Sequence, residues 1–229
     1  MSIQNKYKNK YFSILGDSIS TFEGYSQPKY AEFYNTPNKY ASGVITFRDT
    51  WWGNLIDTLG GELLVNNSIS GSHVCGRAGA CSDARTSALG TDEATPDVIM
   101  VYIGTNDWGG GAMIHPENGE TEDERFFSFA YRTMLEKLKR YYPEAEIWCF
   151  TLGVSARRSV DDFEFQYVRY GHHIEEYCDE IRACAKEYGC RLIDLYRNAP
   201  PFDTFDGDHP NAEGMLTISE AVLRMLERG

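Results

Sequence analysis

Five short runs of apolar residues are spaced along the chain. Continuous runs of this kind are typical of strands that are buried on both faces of a parallel sheet. The runs cover residues 11–15, 63–65, 98–103, 147–152 and 191–195. We therefore predict a strand at each of these positions.

Four longer segments have apolar residues at helical spacing. They cover residues 51–59, 126–138, 174–185 and 212–226. Gly60, Pro143 and Gly189 follow the first three segments, as expected where helices end. Strands that alternate with helices predict a parallel sheet with helices on both faces. We therefore predict an α/β fold, a flavodoxin-like three-layer α/β/α sandwich with a five-stranded parallel sheet, formed by residues 1–229 as a single domain.

The composition restricts the possible partners. The 229 residues include 34 acidic and 22 basic side chains, which give a net charge of -12 at pH 7 and a pI near 4.9. The electrostatic field of so acidic a surface repels polyanions, so we predict that neither nucleic acid nor a membrane is a partner. No apolar run has the length of a signal peptide core or a membrane span. The six cysteines lack CxxC spacing, so we expect free thiols and a cytoplasmic location rather than a disulfide framework.

Polar motifs follow the predicted strands where each strand ends. Ser18 follows the first strand in "GDSIS", Gly71 follows the second in "NSISG", and Asn106 follows the third in "GTND". Asp206 and His209 lie in "DGDHPN", before the last helix. Because the carboxyl ends of parallel strands meet at one edge, we expect these residues to converge. They would supply a hydroxyl nucleophile, an imidazole base with a carboxylate, and oxyanion donors, as acyl transfer requires.

Each motif alone has a simpler structural explanation. Serine is favoured at helix N-caps, and glycine and asparagine are favoured in turns. Aspartate and histidine are also metal ligands, but no HxH or HExxH spacing joins those of "DGDHPN". We therefore predict no metal site and no cofactor, and the catalytic interpretation depends on the motifs occurring together.

Taken in order, the four motifs resemble the blocks of the SGNH (GDSL) hydrolases, which are serine esterases and lipases of flavodoxin-like fold. The blocks extend from residue 16 to residue 211, nearly the whole chain. The resemblance implies Ser18 as the nucleophile, His209 as the base and Asp206 as the acid that orients it. It also implies an oxyanion hole formed by Ser18, Gly71 and Asn106. The G-x-S-x-G elbow of the α/β-hydrolases is absent around Ser18.

Residues 21–47 are rich in aromatic side chains and too numerous for a simple connection. Two interpretations stay open: a wall or lid over the site, or a surface excursion packed by its own rings. Among the aromatic residues, we predict that Tyr25 and Trp108 contact the substrate. Arg157 and Arg158 follow the fourth strand at the same edge and meet either an anionic substrate group or salt-bridge partners. In so acidic a chain, salt bridges are the favoured interpretation.

We expect a serine esterase that removes short acyl groups, acetyl above all, from a carbohydrate or a similar small polyol. One alternative is lipase- or thioesterase-like hydrolysis of longer acyl chains, which needs a continuous apolar groove. An alternative of another class is a non-catalytic carbohydrate-binding protein of the same fold. The complete Ser-Gly-Asn-Asp-His set disfavours it, because a binding protein has no use for a base paired with a hydroxyl.

Overall fold

A five-stranded parallel sheet forms the centre of the molecule, in a computed structural model that describes residues 3–27, 29–117, 119 and 122–228. We label its strands in chain order: β1 Tyr11–Gly16, β2 Glu62–Ser68, β3 Val98–Tyr102, β4 Glu146–Phe150 and β5 Arg191–Ile193. Their order across the sheet is β2-β1-β3-β4-β5. All neighbouring pairs are parallel. The chain thus has the predicted α/β fold, with the strand order of flavodoxin-like proteins.

Four long helices cover the sheet, and we label them α1 Trp51–Leu59, α2 Phe127–Tyr141, α3 Ile174–Glu187 and α4 Ala212–Arg228. Their positions agree with the predicted helices to within a few residues at each end. Shorter α-helices span Ile3–Tyr7, Asn38–Ser42, Asp83–Thr86, Thr105–Gly109 and Leu195–Asn198. Single 3-10 turns span Ser18–Ser20 and Phe47–Asp49. Two-residue strands pair Ser155–Ala156 with Phe202–Asp203 in parallel and Val168–Arg169 with His172–His173 antiparallel.

Most positions of the central strands are apolar because both faces of the sheet are buried. Ile14 and Met100 pack on one face in a core with side chains of α1 and α4. Leu15 and Val101 pack on the other face with side chains of α2 and α3. Successive side chains of a strand point to opposite faces, so an uninterrupted apolar run serves both cores. This arrangement accounts for the three layers.

The second strand is longer than its apolar run predicted. The run ends at residue 65, but β2 continues through Asn66, Asn67 and Ser68, all of which are buried. Asn66 Nδ2 donates to the Ser20 carbonyl at 2.8 Å, and Asn67 Nδ2 donates to the Arg85 carbonyl at 3.0 Å. Buried polar side chains are tolerated where they are hydrogen-bonded, so hydrophobicity alone places the end of this strand too early.

The register places the ends of three strands beside one another. Gly16, the last residue of β1, is opposite Ser68 of β2 and Tyr102 of β3. The loops that follow these strands therefore open side by side at one edge of the sheet. All six cysteines have free thiols. Within the described ranges, no helix is both long and apolar enough to cross a membrane.

Candidate active site

Ser18 lies directly beyond β1, in the 3-10 turn Ser18–Ser20. Asp17 caps this turn, since its side chain accepts a hydrogen bond from the Ile19 N–H at 3.0 Å. Gly16 is required before it, because a Cβ there would lie 2.8 Å from Ser68 Oγ on β2. The nucleophile predicted from the sequence is thus held at the rim of the sheet, with 7% of the residue exposed.

Ser18, His209 and Asp206 form a continuous hydrogen-bonded row. His209 Nε2 lies 2.9 Å from Ser18 Oγ. On the other side of the ring, His209 Nδ1 lies 2.8 Å from Asp206 Oδ2. With an ionised Asp206 as the acceptor, Nδ1 carries the proton and Nε2 accepts the hydrogen bond from the serine hydroxyl. In this tautomer, the imidazole is ready to take the serine proton.

The loop around Asp206 keeps this carboxylate ionised. Its Oδ1 accepts hydrogen bonds from the backbone N–H groups of Asp208 at 3.0 Å and His209 at 2.7 Å. Burial opposes ionisation of Asp206, but the hydrogen bonds from the His209 ring and from these two N–H groups outweigh it, and they lower the pKa of Asp206 to about 2. The charge that orients His209 is therefore present at every pH near neutrality.

The predicted oxyanion donors come from loops that are joined to each other. Asn106, in the helix Thr105–Gly109, donates from Nδ2 to the Ser72 carbonyl at 2.9 Å. Gly71 precedes Ser72 and has a φ of 76°, a left-handed conformation that favours glycine. The space where a Cβ would stand on Gly71 is open, since no described residue other than its two chain neighbours has an atom within 4 Å. A substrate can therefore approach this backbone closely.

The buried side chain of Asp107 connects the helix that carries Asn106 to the loop that follows Gly71. Its carboxylate accepts hydrogen bonds from the backbone N–H groups of Val74 at 2.8 Å and Cys75 at 3.1 Å. Burial raises the pKa of Asp107, and these N–H groups oppose that shift. The side chain thus has the structural role expected of a buried, hydrogen-bonded acid.

A cleft of about 310 Å³ opens over these residues. It is lined by Ser18, Ile19, His73, Thr105, Asn106, Gly109, Gly110, Arg169, Asp208 and His209. Ser18, Asn106 and His209 therefore face one space, although they are far apart in the sequence. Asp206 lies behind His209, and Gly71 lies in the turn beside Ser72.

Two side chains that sequence reasoning did not place in the site, Arg169 and Asp208, pair across the cleft. Arg169 Nη2 lies 3.0 Å from Asp208 Oδ1. Arg169 comes from a hairpin that turns at Tyr170 and Gly171, both with positive φ. Gly171 suits the second position of such a turn, but tyrosine is not among the residues favoured at the first, and the position of the hairpin over the cleft depends on long-range packing.

Gly111, at the end of the glycine run after Trp108, lets this hairpin approach. A Cβ on Gly111 would lie 2.7 Å from Tyr170 Cβ, whereas one on Gly109 would lie 3.5 Å from Arg169 Nη1, an ordinary van der Waals distance. Gly111 therefore serves close packing, in addition to the positive φ of 71° that favours glycine there.

Neither Trp108 nor Tyr25, both predicted to contact the substrate, is among the residues that line the cleft. Trp108 is only 1% exposed and lies beneath Arg169, whose guanidinium carbon is 4.5 Å from the ring centroid. Tyr25 is exposed, but its ring packs against Phe47 at 4.7 Å between centroids, and it is not among the residues that line the cleft. The burial of Trp108 leaves its ring no surface for the predicted substrate contact, whereas the contact of Tyr25 stays a prediction. Trp108 is held by residues of a distant segment, since its ring packs against Phe165 and its Nε1 donates to the His172 carbonyl at 3.2 Å.

The segment 21–47, of which residue 28 lies outside the described residues, packs against His209, and none of its described residues lines the cleft. Phe33 stacks on His209, and the Tyr34 hydroxyl donates to the Pro210 carbonyl at 2.7 Å. Arg157 and Arg158 line a separate cavity with Asp161 and Asp162. Across the part of the chain that the structure describes, no group of three or more His, Cys, Asp or Glu side chains is arranged to hold a metal ion.

The sequence matches the model of a known protein family. Residues 10–159 match the family model described as GDSL-like lipase/acylhydrolase. A GDSL-like lipase from Bacteroides uniformis is 32% identical, with a TM-score of 0.72 over 96% of this chain and 97% of that chain. One from Bacteroides ovatus is 29% identical, with a TM-score of 0.73 over 97% and 100%.

A more distant structure shares the fold alone. It is a family two carbohydrate esterase from Clostridium thermocellum in complex with cellohexaose, 15% identical, with a TM-score of 0.58 over 97% of this chain and 65% of that chain. No curated protein matches the sequence.

Proposed function

Because this chain belongs to the GDSL-like lipase/acylhydrolase family of ester-hydrolysing enzymes, we propose that it removes short acyl groups, acetyl above all, by nucleophilic attack of Ser18. The observation that carries this proposal is the 2.9 Å contact between Ser18 Oγ and His209 Nε2. A hydroxyl is a weak nucleophile until a base accepts its proton, and this base lies within proton-transfer reach.

The reaction proceeds in two halves. Ser18 Oγ attacks the ester carbonyl while His209 Nε2 takes its proton, and Asp206 stabilises the imidazolium that forms. The tetrahedral intermediate collapses, the bond to the alcohol breaks, and His209 gives its proton to the departing oxygen. Water then attacks the acyl-enzyme carbonyl while His209 takes its proton. When the second tetrahedral intermediate collapses, the bond between the acyl carbon and Ser18 Oγ breaks, and His209 returns the proton to Ser18 Oγ as the carboxylic acid leaves.

The oxyanion is held by donors that are in place before the reaction begins. We assign this role to the backbone N–H groups of Ser18 and Gly71 and to the amide of Asn106. A carboxamide has two N–H donors, and one from Asn106 is used by the Ser72 carbonyl at 2.9 Å. The other remains for the substrate. Fixed donors of this kind need no reorganisation as charge develops.

The lining of the cleft favours a small, polar ester. Its volume of about 310 Å³ is at the lower end of the range for ligand pockets. Among the described residues that line it, Ile19 alone has a large apolar side chain. Arg169, Asp208 and His73 offer hydrogen bonds to hydroxyl groups. We therefore propose a carbohydrate or similar polyol as the alcohol part, since a long acyl chain would lack an apolar groove here.

A series of chromogenic esters tests the proposal. Acetate should be hydrolysed fastest, butyrate more slowly and octanoate least. Ser18→Ala should abolish turnover, whereas Ser87→Ala, which removes an exposed hydroxyl that hydrogen-bonds to the Asp83 carbonyl, should leave it unchanged.

Three results would contradict the proposal in different ways. A rate that rises with chain length would favour a lipase-like enzyme, and no hydrolysis of any ester would favour a carbohydrate-binding protein. Retained activity in Ser18→Ala would mean that another residue is the nucleophile. Acetate release from a fully acetylated monosaccharide tests the alcohol part directly. If the enzyme hydrolyses the chromogenic acetate but releases no acetate from this sugar, the carbohydrate is removed from the proposal.

We also propose a cytoplasmic location. The free thiols of all six cysteines support it, since thiols persist in reducing compartments. Fractionation of the native host should recover the protein with cytoplasmic markers, and recovery from the medium would refute it.

A further inference from the structure

Arg85 lies under the candidate active site, in the short helix Asp83–Thr86, and is only 2% exposed. Its guanidinium donates four hydrogen bonds: Nε to Asn67 Oδ1 at 3.2 Å, Nη1 to Ser72 Oγ at 2.8 Å, and Nη2 to the carbonyls of Gly16 at 3.1 Å and Asn67 at 2.8 Å. None of these four acceptors is a carboxylate. Burying a cation without a directly paired anion is costly, so this arrangement needs an explanation.

Two of the acceptors, the Gly16 carbonyl and Ser72 Oγ, belong to the segments that carry the oxyanion donors. The Gly16 carbonyl is two residues before the Ser18 N–H. Ser72 directly follows Gly71, and its own carbonyl accepts from Asn106 Nδ2 at 2.9 Å. One planar group is therefore bonded to the β1 loop and to the Gly71 loop, and through Ser72 it is connected to Asn106.

Arg85 is itself held in place. Asn67 Nδ2 donates back to the Arg85 carbonyl at 3.0 Å and to the Ala88 carbonyl at 3.2 Å. Since Asn67 belongs to β2, the short helix that carries Arg85 is tied to the edge of the sheet. The guanidinium thus has a fixed position from which to place the two loops.

We propose that Arg85 is a positioning residue that sets the spacing of the three oxyanion donors. This inference rests on the proposed function, because it assumes that an oxyanion forms at Ser18. A fork of fixed N–H donors can hold several acceptors at set distances, which a flexible ammonium cannot do. Donors displaced by about 1 Å lose on the order of 10²-fold in rate.

Arg85→Lys separates geometry from charge. Burial lowers the pKa of Arg85 to about 10, so the native side chain is a cation at neutral pH. Lysine keeps a positive charge but loses the planar fork. We expect kcat for the chromogenic acetate to fall about 10- to 100-fold while KM changes less than about threefold, because the donors act mainly on the transition state.

A boronic acid provides a readout that a loss of stability would not change. The boron of n-butylboronic acid binds the Ser18 oxygen while His209 takes the hydroxyl proton, and the boronate becomes a tetrahedral anion that mimics the intermediate. We expect Arg85→Lys to weaken this inhibitor by about the same factor as kcat/KM. Arg182→Lys is the matched control, because Arg182 is held by Asp194 and Asp179 outside the cleft. It should keep both kcat and the inhibitor affinity, whatever its melting temperature.

A double-mutant cycle adds a second test. If Arg85 acts through Asn106, the loss caused by Arg85→Lys should be smaller in an Asn106→Ala background than in the native chain. Strictly multiplicative losses would show that Arg85 does not act through Asn106.

Ser72→Ala tests the connection without touching the arginine. It removes the acceptor of Nη1 and should lower kcat and inhibitor affinity about 3- to 10-fold, the size of one hydrogen bond. This variant keeps the proposal testable if Arg85→Lys does not fold.

Several outcomes would overturn the positioning role. These are native kcat and inhibitor affinity in Arg85→Lys or in Ser72→Ala, or a lower kcat in Arg85→Lys with unchanged inhibitor affinity. An inactive native protein would instead refute the proposed function and this inference with it. An active native protein with unaffected variants refutes only the role of Arg85.

Discussion

The ring of Phe33 is stacked on the imidazole of His209, with centroids 3.4 Å apart and planes inclined by 10°. The edge of the imidazole is fixed by Asp206 on one side and by Ser18 on the other. Phe33 covers one face of the imidazole. It therefore restrains the rotation of the ring about the line between the two hydrogen bonds, a motion that these bonds leave free. The aromatic segment after the nucleophile thereby takes part in orienting the base.

Phe33→Ala should lower kcat about tenfold, because an aromatic pair contributes about 1 kcal/mol beyond its buried area and the freed imidazole has more orientations. Steady-state kinetics on the chromogenic acetate measure this loss. Phe33→Leu keeps apolar bulk without a flat ring and should lose less. Native kcat in Phe33→Ala would mean that the two hydrogen bonds suffice to orient His209.

Asn106→Ala should lower kcat by about 10²- to 10³-fold, the usual effect of removing one oxyanion donor. The expected change in KM is small, because the donor acts mainly on the transition state. Asn198→Ala is a suitable control, since its amide also donates to a backbone carbonyl, that of Asp194 at 3.1 Å, but lies outside the cleft. An unchanged kcat in Asn106→Ala would remove Asn106 from the mechanism and leave Ser18 in it.

Much of this architecture was predictable because it depends on local patterns. The five apolar runs became the five strands, since strands buried on both faces must be apolar. The motifs at the strand ends converged because the carboxyl ends of parallel strands share an edge. Ser18, Asn106 and His209 line one cleft for this reason.

The remaining features depend on contacts between distant segments. Neither the stacking of Phe33 on His209 nor the position of Arg169 over Trp108 leaves a periodic signal in the sequence. Trp108 was misplaced for the same reason: its position beside the motif predicted a substrate contact, but Arg169 covers the ring. Nearness in sequence to a site residue does not determine which way a side chain faces.

Arg169→Ala should raise KM for a carbohydrate acetate about 3- to 10-fold, the value of one hydrogen bond in the cleft, and change kcat less. The ion pair with Asp208 at 3.0 Å is partly exposed, so its loss should cost little stability. Comparing KM for the carbohydrate acetate with KM for the chromogenic acetate isolates the alcohol part.

Arg224→Ala controls for the loss of a cation, because Arg224 pairs with Glu220 on α4, outside the cleft. Equal KM increases for both substrates in Arg169→Ala would show that Arg169 does not recognise the alcohol.

Asp17 should make stability depend on pH near neutrality. Burial raises its pKa to about 7, and the nearby Asp107 adds to the shift, while the Ile19 N–H, His209 and Arg85 oppose it. The folded protein therefore keeps a proton on Asp17 up to about pH 7, whereas the unfolded chain releases it near the ordinary pKa of an aspartate, 3.8. Between these values, the folded state binds more protons, so this group lowers the free energy of unfolding as pH rises.

Asp17→Asn removes that dependence. The free energy of unfolding of the variant minus that of the native chain should increase by about 2 to 3 kcal/mol from pH 5 to pH 8, as a shift of this size implies. Urea unfolding at intervals across this range measures it. Asp206→Asn is the control of opposite sign: since the pKa of Asp206 is lowered to about 2, its stabilising effect develops between about pH 2 and pH 4 and is complete and constant above that range. Its curve should therefore run parallel to the native curve above pH 5, and a parallel curve for Asp17→Asn would show that Asp17 is ionised in the folded protein throughout.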